Sequence, residues 1–338
     1  MPRRLTKPHR LTKPRRLSGF KPTGHLHLGN LLGAVRPAIE EDSVILIADL
    51  HALTVTHDPA RVRELTRELA TLLLAAGAEP DRAPCYVQSH VPEHTELHYL
   101  LECATSYGEA HRMIQFKEQA ATQEQVRLSL LTYPTLMAAD ILLHDVEEVP
   151  VGADQTQHVE LARDVAVRFN NRYGPTFTVP KAVNPSFGGR IRNLSDPAGK
   201  MGKTNDREAG VLFLLDPPEV LRQKIMRAVT DTAGEVRYDP QGQPGVANLL
   251  EILAGCVGDS PSTLAGLFRS YGELKEVVAD SVVATLRPIQ ARYADLAAEP
   301  GAVEGILRDG ARRARSQTQG VVRRARDRLG LLPGTGAE

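Results

Sequence analysis

Apolar residues in the first half of the chain alternate between short continuous runs and stripes at helical spacing. The run VILIAD at 44–49 has the unbroken apolar character of a strand that is buried on both faces. In the next segment, 57–80, Asp58 and Pro59 suit the first turn of a helix, and the leucines that follow recur at helical spacing. A second strand follows at 85–89, so the pattern predicts a βαβ unit of a parallel sheet.

A further strand, followed by a helix, is predicted later in the chain. The pattern EEVPVG at 147–152 predicts a strand, and 154–174 predicts a helix. The apolar stripe of that helix is His158, Leu161, Ala162, Val165 and Phe169. We therefore predict an α/β fold, a doubly wound parallel sheet of Rossmann type, over residues 17–206.

Strand signals fade after Thr204, and the chain from 217 to 330 predicts successive helices. The pattern indicates an all-helical second domain over 207–300. An arginine-rich helix and tail over 301–338 is predicted to pack back on the first domain.

Composition limits the class of protein. A chain of 338 residues favours two domains, and its 41 basic residues balance 41 acidic ones. Residues 1–16 carry seven Lys or Arg and no acidic residue, which predicts a flexible basic arm. Both an arm that contacts RNA and an unstructured tail without a function fit this pattern. Three scattered cysteines favour a reducing compartment. With no apolar run of membrane-spanning length, we expect a cytoplasmic protein without a membrane or DNA partner.

The segment AGKMGKTN at 198–205 ends like a phosphate-binding P-loop. A P-loop needs a glycine five residues before Gly202, but Pro197 stands there, which has a fixed φ and no N–H to donate. The P-loop interpretation is therefore weak. A solvated basic turn remains open at this point.

The first predicted turn between strand and helix, 17–34, is rich in glycine and contains His25, His27 and Asn30. In open α/β sheets, ligands bind at the carboxyl ends of strands and anions bind at helix N-termini. Two histidines in a glycine turn favour side chains that point out of the core. The turn is therefore a candidate for binding a nucleotide phosphate.

These segments together resemble one enzyme family. TGHLHLGN at 23–30 resembles the HIGH signature, and KMGKT at 200–204 resembles the KMSKS signature, of class I aminoacyl-tRNA synthetases. LLTYPTLMAADILL at 130–143 and VGADQTQH at 151–158 resemble the bacterial tryptophanyl enzymes of that class. The resemblance extends from about Ser18 to the C-terminal helix, and several motifs in order are more specific than any one of them.

The resemblance implies that the amino acid carboxylate attacks the α-phosphorus of ATP, and that the aminoacyl adenylate then esterifies the terminal ribose of a tRNA. Such chemistry needs position and positive charge more than proton transfer. The implied catalytic residues are His27, Asn30, Lys117, Lys200 and Lys203. The implied ATP-binding residues are Lys21, Thr23, Gly29, Asn30, Gly152, Asp154, Lys200, Met201, Lys203 and Thr204. Mg²⁺ would arrive on the nucleotide, so no protein metal site is expected.

The choice of amino acid depends on the helix predicted at 134–143. Asp140 lies there in an apolar surround, where an unpaired carboxylate is costly; a cap or a structural ion pair would also explain it. In the family that this chain resembles, this aspartate accepts the indole N–H and Met137 packs on the ring, while His51 and Tyr133 would lie near the ammonium group. The implied residues for tryptophan are His51, Tyr133, Met137, Asp140, Val149 and Gln155.

The resemblance implies a homodimer that uses L-tryptophan, ATP and tRNA(Trp), with the helical domain and the basic C-terminal helix facing the tRNA. Leu17, Lys21, Gly202 and Thr204 depart from the family pattern. Two alternatives therefore stay open: a tyrosyl-tRNA synthetase, and a paralogue with weak charging that acts by binding a partner or as a sensor.

Overall fold

The computed structural model describes residues 15–40, 43–121, 123–152, 155–183, 191–202 and 208–333. Its strands are β1 (Leu17–Phe20), β2 (Val44–Ile47), β3 (Cys85–Val87), β4 (Glu148–Pro150) and β5 (Lys181–Val183). The first three form a parallel sheet with β2 in the middle, and β4 pairs with β5 in parallel. A parallel bridge between Arg16 and Glu148 places β4 beside β1. The strand order is therefore β3-β2-β1-β4-β5, which reverses between β1 and β4 as in Rossmann folds.

The helices of this α/β domain lie between and after its strands. They are α1 (Leu28–Asn30), α2 (Arg36–Glu40), α3 (Asp49–Ala52), α4 (Pro59–Ala75), α5 (Glu93–Glu102), α6 (Tyr107–His111), α7 (Ile114–Ala120), α8 (Leu128–Leu142) and α9 (Thr156–Tyr173). A π-helix, Leu31–Val35, joins α1 to α2, and single 3₁₀ turns form at Gln88–His90 and Glu208–Gly210.

The predicted βαβ unit is confirmed by β2, α4 and β3. The Asp58 carboxylate caps α4 by accepting a hydrogen bond from the Ala60 N–H at 3.0 Å, and Gly77 ends the segment with a φ of 109°. The start predicted for the later helix at 134–143 is wrong. Helix α8 begins at Leu128 and keeps Pro134 inside it, because buried Leu130 extends the apolar face one turn earlier.

Four helices make the second domain: α10 (Pro218–Met226), α11 (Pro244–Val257), α12 (Pro261–Ala265) and α13 (Tyr271–Ala298). Their buried side chains share one hydrophobic cluster with β1, the π-helix and α4. The helical domain is thus packed directly on the turn that carries His27. Over the described part of the chain, no helix has both the length and the apolar composition of a membrane span.

The last helix, α14 (Pro300–Arg328), contributes to both hydrophobic clusters of the molecule. Val303 and Leu307 belong to the cluster shared with the helical domain, whereas Val321 and Val322 belong to the cluster around α5, α8 and α9. Between them, Gly310 lies so close to the carbonyl of Cys85 that a Cβ at this position would overlap the strand backbone. The helix therefore packs against the edge strand β3 at a point where only glycine fits.

Arginines of α14 form ion pairs with the α/β domain. The pairs are Arg315 with Glu93 at 3.1 Å, Arg324 with Asp145 at 2.9 Å and Arg326 with Glu96 at 2.5 Å. The resemblance implies that this basic helix faces a tRNA. Part of its positive charge is neutralised by these ion pairs within the chain.

Candidate active site

A cavity of about 630 Å³ opens between β1 and β4, where the strand order reverses. Such a switch point is where open α/β sheets bind ligands. Residues implied by the sequence resemblance that line it are Lys21, His27, Gly29, Asn30, His51, Tyr133, Met137, Asp140, Val149, Gly152, Gln155, Lys200 and Met201. The fold therefore brings together segments that are up to 180 residues apart in the sequence.

Where the glycine turn lines the cavity, His27 and Asn30 cap the first helix by bonding each other. His27 Nδ1 accepts a hydrogen bond from the Asn30 N–H at 3.3 Å, and Asn30 Oδ1 accepts one from the His27 N–H at 3.2 Å. Because Nδ1 is an acceptor, the ring proton of neutral His27 lies on Nε2, which makes Nε2 a donor. Of the two histidines predicted to point out of the core, His27 is a buried cap that lines the cavity, and His25 contacts Glu68 at 2.6 Å.

Asp140 lies at the end of the cavity that we call the acid end, and three side chains hold its carboxylate. Oδ1 accepts hydrogen bonds from Gln88 Nε2 at 2.7 Å and His94 Nδ1 at 2.6 Å, and Oδ2 contacts His51 Nε2 at 2.9 Å. Burial alone raises the pKa of Asp140, but the charge of His94 and the hydrogen bonds from His51 and His94 outweigh it, so the pKa lies below its ordinary value. The acid is ionised and fixed in position.

Behind Asp140 the hydrogen bonds continue into the core. The hydroxyl of Tyr86 contacts His94 Nε2 at 2.8 Å and His144 Nε2 at 2.6 Å, and all three side chains are buried. Burial, together with the charge of His94, lowers the pKa of His144 to about 3. Burial and the Asp140 carboxylate raise the pKa of Tyr86 well above its ordinary value. Two neutral groups therefore support one charged acid.

The opposite end, which we call the lysine end, contains Lys200 on the segment 191–202. Lys200 stands opposite Arg192 in an antiparallel bridge, so its position depends on that small hairpin. Lys21 also lines the cavity, where its Nζ donates a hydrogen bond to Thr54 Oγ1 at 3.4 Å. Burial lowers the pKa of Lys21. Two lysines of the described residues thus line the cavity.

Two residues of the predicted site do not line this cavity. Thr23 and Lys117 are exposed, although Gln115 and Gln119 from the same helix as Lys117 do line it. Positions 115 and 119 share one face of α7, while position 117 falls on another, so helical spacing would have identified the two glutamines. Asp154, Lys203 and Thr204 lie outside the described residues.

His51 and Tyr133, for which the resemblance implies a place near the ammonium group, both line the cavity and are held by neighbouring side chains. His51 bonds the indole-selecting candidate Asp140 itself. The Tyr133 hydroxyl contacts His158 Nε2 at 2.7 Å and donates a hydrogen bond to Gln115 Oε1 at 3.3 Å. Burial raises the pKa of Tyr133, so its hydroxyl keeps its proton.

The family comparison agrees with this geometry. The model of the family described as tRNA synthetases class I (W and Y) matches residues 10–287, well over half of the chain. The chain belongs to this family. Tryptophan–tRNA ligase 1 of Streptomyces avermitilis is 57% identical to this synthetase over 324 residues, which cover 93% of this chain and 98% of the relative.

Solved structures show the same similarity. Tryptophanyl-tRNA synthetase from Mycoplasma pneumoniae matches the synthetase with a TM-score of 0.87 and 34% identity, over 95% of this chain and 99% of that one. The enzyme from Campylobacter jejuni, described as complexed with ADP and tryptophan, matches with a TM-score of 0.78 and 30% identity, over 94% and 100% of the two chains. The fold class predicted from the sequence is confirmed.

Proposed function

We propose that this synthetase is a tryptophan–tRNA ligase that activates L-tryptophan with ATP and transfers it to tRNA(Trp). The observation that carries the proposal is that one cavity is lined both by a buried, ionised carboxylate, Asp140, and by two lysines, Lys21 and Lys200. The relatives whose names specify tryptophan span nearly the whole chain and support the same substrate.

At the acid end, Asp140 supplies the acceptor for an indole N–H. Its Oδ1 already accepts two protein hydrogen bonds, whereas Oδ2 has a single contact, from His51, within the described residues. Met137 lies one helical turn before Asp140 and contributes a polarisable thioether to pack on the ring, with Val149 from β4 also lining the space. Phenylalanine offers no N–H, so the acceptor would remain unpaired, which such sites reject strongly.

The remaining residues hold ATP. A Cβ on Gly29 would lie 3.1 Å from His27 Nδ1, so glycine at this position leaves room for the His27 ring. The His27 Nε2–H and the Asn30 amide are donors for phosphate oxygens, and Lys200 places a mobile point charge at the leaving pyrophosphate. Gly152 and Gln155 lie at the start of α9, next to Asp154, for which the resemblance implies a bond to the ribose.

In the first step, a carboxylate oxygen of tryptophan bonds the α-phosphorus of ATP while the bond to the bridging oxygen of pyrophosphate breaks. Negative charge grows on the leaving group, and the lysines stabilise it there. Mg²⁺ enters as part of the MgATP substrate. Such an ion is coordinated mainly by phosphate oxygens and water.

In the second step, the ribose hydroxyl at the end of tRNA attacks the activated carbonyl and releases AMP. We propose that tRNA binds across the helical domain, in the cytoplasm, and that two copies of the chain form a dimer. Exposed apolar side chains support the dimer: Tyr99, Tyr107, Ile114 and Leu128 lie on α5, α6, α7 and α8. Sedimentation would test it, since a monomer at micromolar concentration contradicts this part of the proposal.

The direct test is ATP–pyrophosphate exchange with each aromatic amino acid, followed by charging of purified tRNA(Trp). We expect exchange with tryptophan and far slower exchange with tyrosine or phenylalanine. Preference for tyrosine would identify the tyrosyl alternative. Exchange without charging of tRNA would favour the paralogue that acts as a sensor.

A further inference from the structure

The backbone around Lys200 forms a small antiparallel hairpin whose hydrogen-bond pattern leaves one residue facing outward. The N–H of Asn193 donates to the Gly199 carbonyl at 3.0 Å, and the N–H of Met201 donates to the Ile191 carbonyl at 3.1 Å. These bonds flank the bridge between Arg192 and Lys200, which makes that pair a non-hydrogen-bonded one. The N–H and the carbonyl of Arg192 therefore point away from Lys200.

Both outward groups are bound by one side chain of the helical domain. Asn248, on α11, accepts the Arg192 N–H on Oδ1 at 2.8 Å and donates from Nδ2 to the Arg192 carbonyl at 3.0 Å. Its amide thus makes the two hydrogen bonds to Arg192 that a neighbouring strand would make in a sheet. Asn248 is 2% exposed, so water cannot easily make these bonds instead.

The surroundings fix this amide in place. The hairpin residues Ile191 and Met201 are buried in the same hydrophobic cluster as Leu249 and Leu250, the two residues that follow Asn248 on α11. A shift of α11 is therefore transmitted to Arg192, and through the bridge to the backbone of Lys200.

We propose that Asn248 is a positioning residue for adenylate formation, which holds the backbone of Lys200 at the distance from the acid end that the reaction needs. The proposal rests on the function proposed above. It makes the lysine end of the cavity dependent on the helical domain, while the acid end is built within the α/β domain.

The test is a double-mutant cycle between Asn248→Ala and Lys200→Ala, measured as kcat for tryptophan-dependent pyrophosphate exchange. We expect Asn248→Ala to lower kcat roughly 10- to 100-fold, as a displaced catalytic group does, with the Kd for tryptophan unchanged. Lys200→Ala should then lower kcat by a much smaller factor in the Asn248→Ala background than in the wild-type chain, because the lysine is already misplaced.

Gln243 provides the matched control. It is also buried, lies five residues earlier at the start of α11, and makes its hydrogen bonds inside the helical domain, to the Glu235 carbonyl at 3.0 Å and the Tyr271 hydroxyl at 3.2 Å. Gln243→Ala should lower the melting temperature, yet Lys200→Ala should keep its full effect on kcat in that background.

Hydrogen exchange of the peptide 191–202 gives a readout that does not need activity, with Asn248→Ser as a milder variant if Asn248→Ala fails to fold. We expect faster exchange in the Asn248 variants and unchanged exchange in Gln243→Ala. Independent, multiplicative effects of Asn248→Ala and Lys200→Ala, or equal effects from Gln243→Ala, would overturn the proposal. A wild-type chain without tryptophan-dependent pyrophosphate exchange would instead contradict the proposed function, and peptide exchange would still decide whether Asn248 holds the hairpin.

Discussion

At the acid end of the cavity, one carboxylate is held by three side chains of the α/β domain, whereas at the lysine end the backbone opposite Lys200 is held by an amide of the helical domain. The acid end is a buried network of titratable groups with complementary partners. The lysine end is a small hairpin, and the Arg192 backbone opposite Lys200 is bound by Asn248. The proposed function then assigns amino acid selection and phosphate chemistry to different parts of the fold.

Changing one residue at each end tests most directly whether the two ends act separately. Asp140→Asn should raise the KM for tryptophan about 10- to 100-fold, the value of a hydrogen bond to a charged group, because the amide presents a donor to the indole N–H. The preference over phenylalanine should weaken as well. Lys200→Ala should instead lower kcat about 100- to 1,000-fold with little change in tryptophan binding.

Binding is easy to follow, since the chain contains no tryptophan and the fluorescence of the ligand is then the only indole signal. Equal changes in kcat and KM from both substitutions would show that the two ends are not separate.

A smaller effect is expected from the support of the acid. His94→Gln removes the 2.6 Å bond to Asp140 and the charge that lowers its pKa, so the carboxylate loses part of its fixed orientation. We expect the KM for tryptophan to rise about 2- to 10-fold, as for loss of one ordinary hydrogen bond, with kcat unchanged. Steady-state exchange kinetics measure both.

Tyr86→Phe is the control for this change, because it removes the next hydroxyl in the network while the bond between His94 and Asp140 stays. A larger rise in KM from Tyr86→Phe than from His94→Gln would contradict the assigned support.

The smallest effect concerns stability against pH. Burial keeps His144 neutral in the folded chain down to a pKa of about 3, while its ordinary value is 6.5, so the unfolded chain binds one more proton between these values. The free energy of unfolding should therefore fall as the pH drops below about 6.5, by about 1.4 kcal/mol per pH unit from this residue. In His144→Gln, urea unfolding between pH 7 and pH 5 should show a shallower dependence. An unchanged pH dependence of the unfolding free energy would show that a group other than His144 causes it.

Local pattern was enough to predict much of the fold. Asp58 and Pro59 predicted the start of α4, and the apolar run at 44–49 predicted β2, because caps and buried strands are encoded within a few residues. The start of α8 was predicted six residues too late, because Pro134 lies inside the helix and the turn before it is also helical.

The partners of the site could not be predicted in the same way. Asp140 was identified from its apolar surround, but Gln88 and His94 lie 52 and 46 residues away. The 3₁₀ turn after β3 brings Gln88 to it, and the packing of α5 on α8 brings His94. Asn248 gave no sequence signal either. It is an ordinary polar residue inside an apolar helix until the hairpin at 191–202 is known.

Helix α14 also links the two hydrophobic clusters of the molecule. It adds side chains to both, and between them Gly310 lies against the backbone of Cys85. A side chain at position 310 should therefore disturb both clusters at once, so that damage on one face of the sheet is felt on the other.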